Sequence, residues 1–149
     1  MNTDNITKVA TAVAYSSKRD KFLLTKRTQS TDIRPGKWDF PGGHIRKQDF
    51  NEGSKDDEIF SEYEEPRKAA LRELEEETNL RGQVIRTGDS FSLDTVDGKF
   101  KIYPFLILEE GEPELSEEHS DYEWIDPDDL SDFETVKGLD TDLDKLDVL

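Results

Sequence analysis

Cysteine is absent from the chain, which excludes disulfides and thiolate metal sites and fits a reducing compartment. Long apolar runs are also missing. None approaches the roughly 20 residues that span a bilayer. Residues 1–8 are polar and lack the apolar stretch of a secretory leader. A soluble, cytoplasmic protein is therefore expected. Basic charge is scarce: 36 Asp and Glu face 20 Lys and Arg, a net charge of −16. That balance argues against duplex binding through phosphate neutralisation and against attachment to anionic membrane. It also concentrates divalent cations near the surface, and it suits a salt-rich cytoplasm. No linker or repeat divides the 149 residues, so a single domain over 1–149 is expected.

Residues 6–16 and 21–27 read as two strands joined by the polar turn Ser17-Lys18-Arg19-Asp20. Trp38-Asp39-Phe40 is a short strand running into Pro41-Gly42-Gly43, read as a turn. Residues 44–63 are polar and acidic and read as a long surface loop, with a helical turn over 56–61. Residues 66–80 read as a helix with Pro66 at its first position, Glu65 as cap and Asn79 as a left-handed stop. Residues 83–87, 90–96 and 100–108 read as strands, with Asp97-Gly98 as a hairpin turn. A short strand at 122–125 and a helical turn at 127–130 precede a C-terminal helix starting near Asp140. Val136, Leu139, Leu143 and Leu146 form its apolar stripe. The order β-β-β-α-β-β-β-α predicts an α/β (α+β) fold, a mixed β-sheet between α-helices.

The helix at 66–80 carries the chemistry. Glu73, Glu76 and Glu77 stand at i, i+3 and i+4, on one face. Two carboxylates about 4 Å apart at an effective dielectric of about 20 repel by about 4 kcal/mol. A divalent cation would offset that repulsion; a solvated acidic face is the plain alternative. Gly42 and Gly43, just upstream, allow backbone to approach metal or phosphate closely.

These residues resemble the Nudix hydrolases. The family box runs Gly, five residues, Glu, seven residues, Arg-Glu, aliphatic, any residue, Glu-Glu, any residue, Gly, aliphatic. Here Glu64 is followed by seven residues and then Arg72-Glu73-Leu74-Glu75-Glu76-Glu77-Thr78-Asn79-Leu80, with Asn79 in the glycine's place. The Trp38-to-Gly43 segment (WDFPGG) is also similar to the family's turn. With Gly43 as the box glycine, about fifteen extra residues separate it from Glu64, so an insertion within 44–63 is expected.

The resemblance implies a Nudix fold and an enzyme that cleaves a pyrophosphate bond in a nucleoside diphosphate linked to another moiety. It implies magnesium, or manganese, on Glu73, Glu76 and Glu77, with a Gly43 carbonyl. Magnesium prefers such oxygen ligands. Glu73 takes the proton from water or serves only as a ligand. Glu118 is the alternative base or a further ligand, with Glu117 its nearest rival. Arg72 orients Glu73 or Glu64. Arg27 and His44 are candidates to touch phosphate and Trp38 to stack on a base. Phe22 and Phe40 are expected in the core and His119 on the surface. The resemblance also points to a homodimer, as many relatives form.

Substrate choice is less determined. Residues 23–27 with Gly36 and Phe40 to Gly43 partly resemble the coenzyme A pyrophosphatase pattern, but Asp32 replaces its arginine. A nucleoside triphosphate is the first reading and ADP-ribose, coenzyme A or another nucleoside diphosphate derivative the second. A non-catalytic nucleotide-sensing domain of the same fold is the third. An acidic structural protein is the reading from outside the family.

Overall fold

The apolar run near the N-terminus becomes the centre of the sheet. The computed structural model describes residues 6–28, 35–46, 49, 63–96 and 98–148. Strand β1 (Ile6–Ser16) pairs in parallel with β7 (Gly98–Leu108) along nearly its whole length. On its other edge β1 is shared. Val9 to Thr11 pair with β4 (Gly42–His44), and Tyr15 and Ser16 pair with β2 (Lys21–Arg27). Strand β2 also pairs with β3 (Trp38–Asp39) and β8 (His119–Ile125), and β7 with β5 (Gln83–Thr87) and β6 (Phe91–Thr95). All pairs except β1–β7 are antiparallel, so the expected mixed sheet is present.

Alternation along β1 divides the core into two layers. Ala10, Ala12 and Ala14 face helix α1 (Glu64–Thr78) with Tyr103, Phe105 and Ile107 of β7. Val13, Phe22, Leu24 and Leu106 face helix α2 (Leu139–Lys145), whose Leu139 and Leu143, with Leu146, seal the second layer. The small residues of β1 meet Ala69, Ala70 and Leu74 of α1, all fully buried. Alanine against alanine lets the helix sit close to the sheet, and that closeness brings its carboxylates to β4.

Several boundaries differ from expectation. Gly42 and Gly43 belong to a strand rather than a turn, because β1 offers them a ladder. Helix α1 starts at Glu64, with Tyr63 as N-cap and Glu65 buried. Pro66 is thus its third residue, where a missing N–H lacks an intrahelical partner anyway. Asn79 does adopt the left-handed stop, at φ 60°, its N–H donating to the Glu75 carbonyl. Strand β8 begins at His119 rather than Tyr122. A 3-10 turn, Pro127–Asp132, leads toward α2. The helical turn expected over 56–61, Asp97 and residues 1–5 lie outside the described residues, as does most of the insertion expected within 44–63.

Candidate active site

Helical spacing puts Glu73 and Glu77 one turn apart on the face that α1 turns to β4, and both are buried. The Gly42 N–H donates to Glu77 Oε2 at 3.1 Å. A Cβ on Gly43 would stand against the Glu73 carboxylate, which would then have to shift. Burial raises the Glu77 pKa well above the carboxylate range, and the charge and hydrogen bond of Glu73 raise it further. The Gly42 amide works against that rise, and Asp39 adds to it. The repulsion inferred from spacing is therefore present between Glu73 and Glu77, and a proton on Glu77 relieves it.

Arginine relieves the rest. Arg72 grips Asp49 with Nε at 2.7 Å and Nη2 at 2.9 Å, a bidentate pair with both side chains largely buried. Its Nη1 reaches Glu73 Oε2 at 3.1 Å and Glu76 Oε1 at 3.2 Å, and Nη2 also donates to the His44 carbonyl at 3.0 Å. Arg46 stands 3.7 Å from Glu73 and 3.8 Å from Glu76. These contacts hold the Arg72 guanidinium firmly protonated, the hydrogen bond to Asp49 contributing most.

The contact with Glu73 is one of the two expected for Arg72; the pairing with Asp49 adds a partner that the sequence reading did not name. Glu64 meets Arg67 at 3.5 Å instead of Arg72. The signal was available: five residues separate Gly43 from Asp49, the family's own spacing between box glycine and first carboxylate. Aspartate in place of glutamate hid it. Counted from Asp49, the extra residues follow it in the sequence.

One cleft of ≈ 280 Å³ gathers most of the remaining candidates. Arg27, Gly43, His44, Glu73, Glu77 and Glu118 all line it. Glu118 is exposed and faces the cleft; Glu117 is not among its lining residues. Trp38 lies outside it, packed edge-on against Phe133 with ring centroids 5.1 Å apart and its backbone bonded to Glu134 and Val136. The stacking role expected for Trp38 has no geometric support. Phe22 and Phe40 are in the core as expected, Phe40 also reaching the cleft wall.

His119, expected on the surface, is buried because it opens β8. Its Nε2 is 3.4 Å from Glu77 Oε1, and its Nδ1 is buried with no hydrogen-bond partner among the described residues. Burial, with Arg27 nearby, lowers its pKa to about 4, so the ring is neutral at pH 7. With a neutral ring, the contact with Glu77 is not an ion pair.

The donor chemistry fits a hard divalent cation: oxygen ligands, excess negative charge and a glycine backbone. Among the described residues, no three carboxylate or histidine groups converge as a ready-made metal cage. Glu73 and Glu76 are turned onto Arg72 and Arg46, which act as their counter-charges.

Comparison with known proteins agrees with this arrangement. The NUDIX domain model matches residues 6–143. The m7GpppN-mRNA hydrolase NUDT17 of Xenopus laevis is 38% identical over 77 residues, 52% of this chain and 21% of that protein. The chain thus matches only about a fifth of that relative's length. The MutT protein of Methanosarcina mazei superposes with a TM-score of 0.75 at 21% identity, covering 99% of this chain and 96% of the other. The NUDIX domain of Shewanella oneidensis NrtR, solved with ADP ribose, superposes at 0.68 with 18% identity, covering 95% and 86%. With the family model spanning nearly the whole chain and both helices flanking the expected sheet, this protein belongs to the NUDIX family.

Proposed function

We propose that this chain, as a single catalytic domain, hydrolyses a pyrophosphate bond in a nucleoside diphosphate linked to another moiety, with a nucleoside triphosphate as the first substrate. The observation that carries the reading is the buried Glu73–Glu77 pair pressed onto Gly42 and Gly43 and braced by Arg72. An acidic structural protein has no reason to bury carboxylates against one another at the mouth of a cleft. Glu73, Glu76 and Glu77 would hold magnesium, with the Gly43 carbonyl and Glu118 as further oxygen donors. When bound, the ion neutralises phosphate charge and lowers the pKa of water.

The chain's own groups do the rest. Arg72, anchored on Asp49, fixes the rotamer of Glu73. Glu73 or Glu118 accepts the proton of the attacking water; both line the cleft. Water oxygen bonds to phosphorus as the bridging P–O bond breaks, and the leaving phosphate carries off the electron pair. Arg27 and His44, on the cleft rim, receive phosphate oxygens. Catalysis of this kind is mainly positioning and charge compensation.

The test is a panel of nucleoside triphosphates, ADP-ribose, coenzyme A and an m7GpppN cap dinucleotide, each with magnesium, scored for released pyrophosphate or monophosphate. ADP-ribose and the cap dinucleotide are included because of the solved complex with ADP ribose and the Xenopus relative. Turnover of a triphosphate supports the first reading. Binding without turnover of any member would instead favour a nucleotide-sensing domain.

A further inference from the structure

Two arginines meet the same carboxylate oxygens, and they are held very differently. Arg72 Nη1 donates to Glu73 Oε2 at 3.1 Å and to Glu76 Oε1 at 3.2 Å, while its Nε and Nη2 are locked on Asp49 and its side chain is only 13% exposed. Arg46, which lines the cleft, comes to the same two oxygens. Its Nη2 stands 3.7 Å from Glu73 Oε2 and its Nη1 3.8 Å from Glu76 Oε1. Those separations are ion pairs without hydrogen bonds, and the Arg46 side chain is 52% exposed. Exposed pairs of this kind separate at little cost. The root of the arm is fixed, by contrast. The Arg46 N–H donates to Asp49 Oδ2 at 2.7 Å, and its carbonyl accepts the Asp49 N–H at 2.9 Å. Arg46 is therefore a loosely paired cation on a rigid mount, set over two carboxylates that would hold a metal.

We propose that Arg46 is an exchangeable counter-ion of this site: it neutralises Glu73 and Glu76 in the metal-free protein, yields them to a divalent cation, and then pairs with a phosphate of the nucleotide. The proposal rests on the metal-dependent hydrolase reading above. Cations that share one pair of oxygens repel one another, so a divalent ion at Glu73 and Glu76 displaces the guanidinium that is less tightly held. Arg72 stays, because its departure would strand the buried Asp49 carboxylate. The displaced Arg46 remains on the cleft wall with Arg27, and its planar fork matches phosphate oxygens. In a chain of net charge −16, such a cation offsets the field that opposes an incoming polyphosphate. The consequence is linkage. Arg46 competes with metal alone and helps to hold metal and phosphate together, so each of the two ligands strengthens the binding of the other.

The test measures binding by calorimetry with two probes and no turnover: manganese alone, and preformed magnesium imidodiphosphate. Arg46→Gln should bind manganese about 3–10-fold more tightly than wild type, because the resident competitor is gone. It should bind magnesium imidodiphosphate about tenfold more weakly, because a phosphate partner is lost. Lys137→Gln is the control for net charge. It removes the same charge from the same cleft, where the Lys137 Nζ is bonded to the Asp94 carbonyl at 3.2 Å rather than to Glu73 or Glu76. Its manganese affinity should change by less than about twofold. Arg46→Lys, which keeps the charge without the fork, should bind manganese nearly as wild type does and imidodiphosphate more weakly. Unchanged or weaker manganese binding in Arg46→Gln, an equal shift in Lys137→Gln, or unchanged imidodiphosphate binding in Arg46→Gln overturns the proposal. If the substrate panel shows turnover in that case, the hydrolase reading stands alone. Wild-type protein that binds neither probe and turns over no nucleotide overturns both.

Discussion

Removing Asp49 is the perturbation that most directly tests how this site is built. Its carboxylate is 2% exposed and makes two hydrogen bonds to Arg72, whose side chain is 13% exposed. Breaking a fully buried ion pair costs roughly 3–5 kcal/mol. Arg72 would keep Glu73, Glu76 and the His44 carbonyl, so the loss is smaller. About 2–3 kcal/mol is expected for Asp49→Ala. Glu64→Ala is the control. Glu64 touches Arg67 at 3.5 Å and both are substantially exposed, so its loss should cost about 0.5 kcal/mol or less. Urea unfolding followed by circular dichroism measures both, with equal slopes as the condition for comparing midpoints. A double-mutant cycle between Asp49→Ala and Arg72→Ala should then show clear coupling, and one between Glu64→Ala and Arg72→Ala none. Activity on the substrate found should fall about 10–100-fold in Asp49→Ala, because Arg72 no longer braces Glu73. If Glu64→Ala destabilises as much as Asp49→Ala, the assignment of the arginine's partner is wrong.

Glu77 and Asp142 both have folded-state pKa values raised above the unfolded one, so the folded protein holds extra protons between the two values. Their contribution is full below the unfolded pKa, about 4, and is lost as pH rises through the folded one. Metal-free protein should therefore lose stability on going from acid toward neutral pH, with a shallower loss in Glu77→Gln and in Asp142→Asn; urea midpoints in EDTA that decline equally in all three would contradict this. Glu77→Gln should also reduce metal-dependent hydrolysis by about 100-fold or more, measured as phosphate release, and full activity would remove Glu77 from the metal site. Asn79 occupies a left-handed position at φ 60°. Asn79→Ala should cost about 1 kcal/mol and Asn79→Gly should be neutral or stabilising, a contrast that thermal melts resolve.

The local sequence determined much of this protein. The periodicity of residues 6–16 and 21–27, the helix with Glu73, Glu76 and Glu77 on one face, and Asn79 as its stop follow from side-chain spacing and backbone preference alone. So does the stripe of Leu139, Leu143 and Leu146. What tertiary structure decided is everything that depends on a partner distant in the chain. Gly42 and Gly43 became a strand only because β1 lay beside them. His119 was buried by its place in β8, although Glu117, Glu118, Ser120 and Asp121 around it in sequence are exposed. Trp38 turned toward Phe133 and away from the cleft. Arg72 chose Asp49, 23 residues away, over Glu64 at helical distance. Asp142 reads as a surface acid on an amphipathic helix until the fold presses it into the cleft wall. Spacing specifies which side chains share a face; which charges meet, and which lose water, is settled only when distant elements pack.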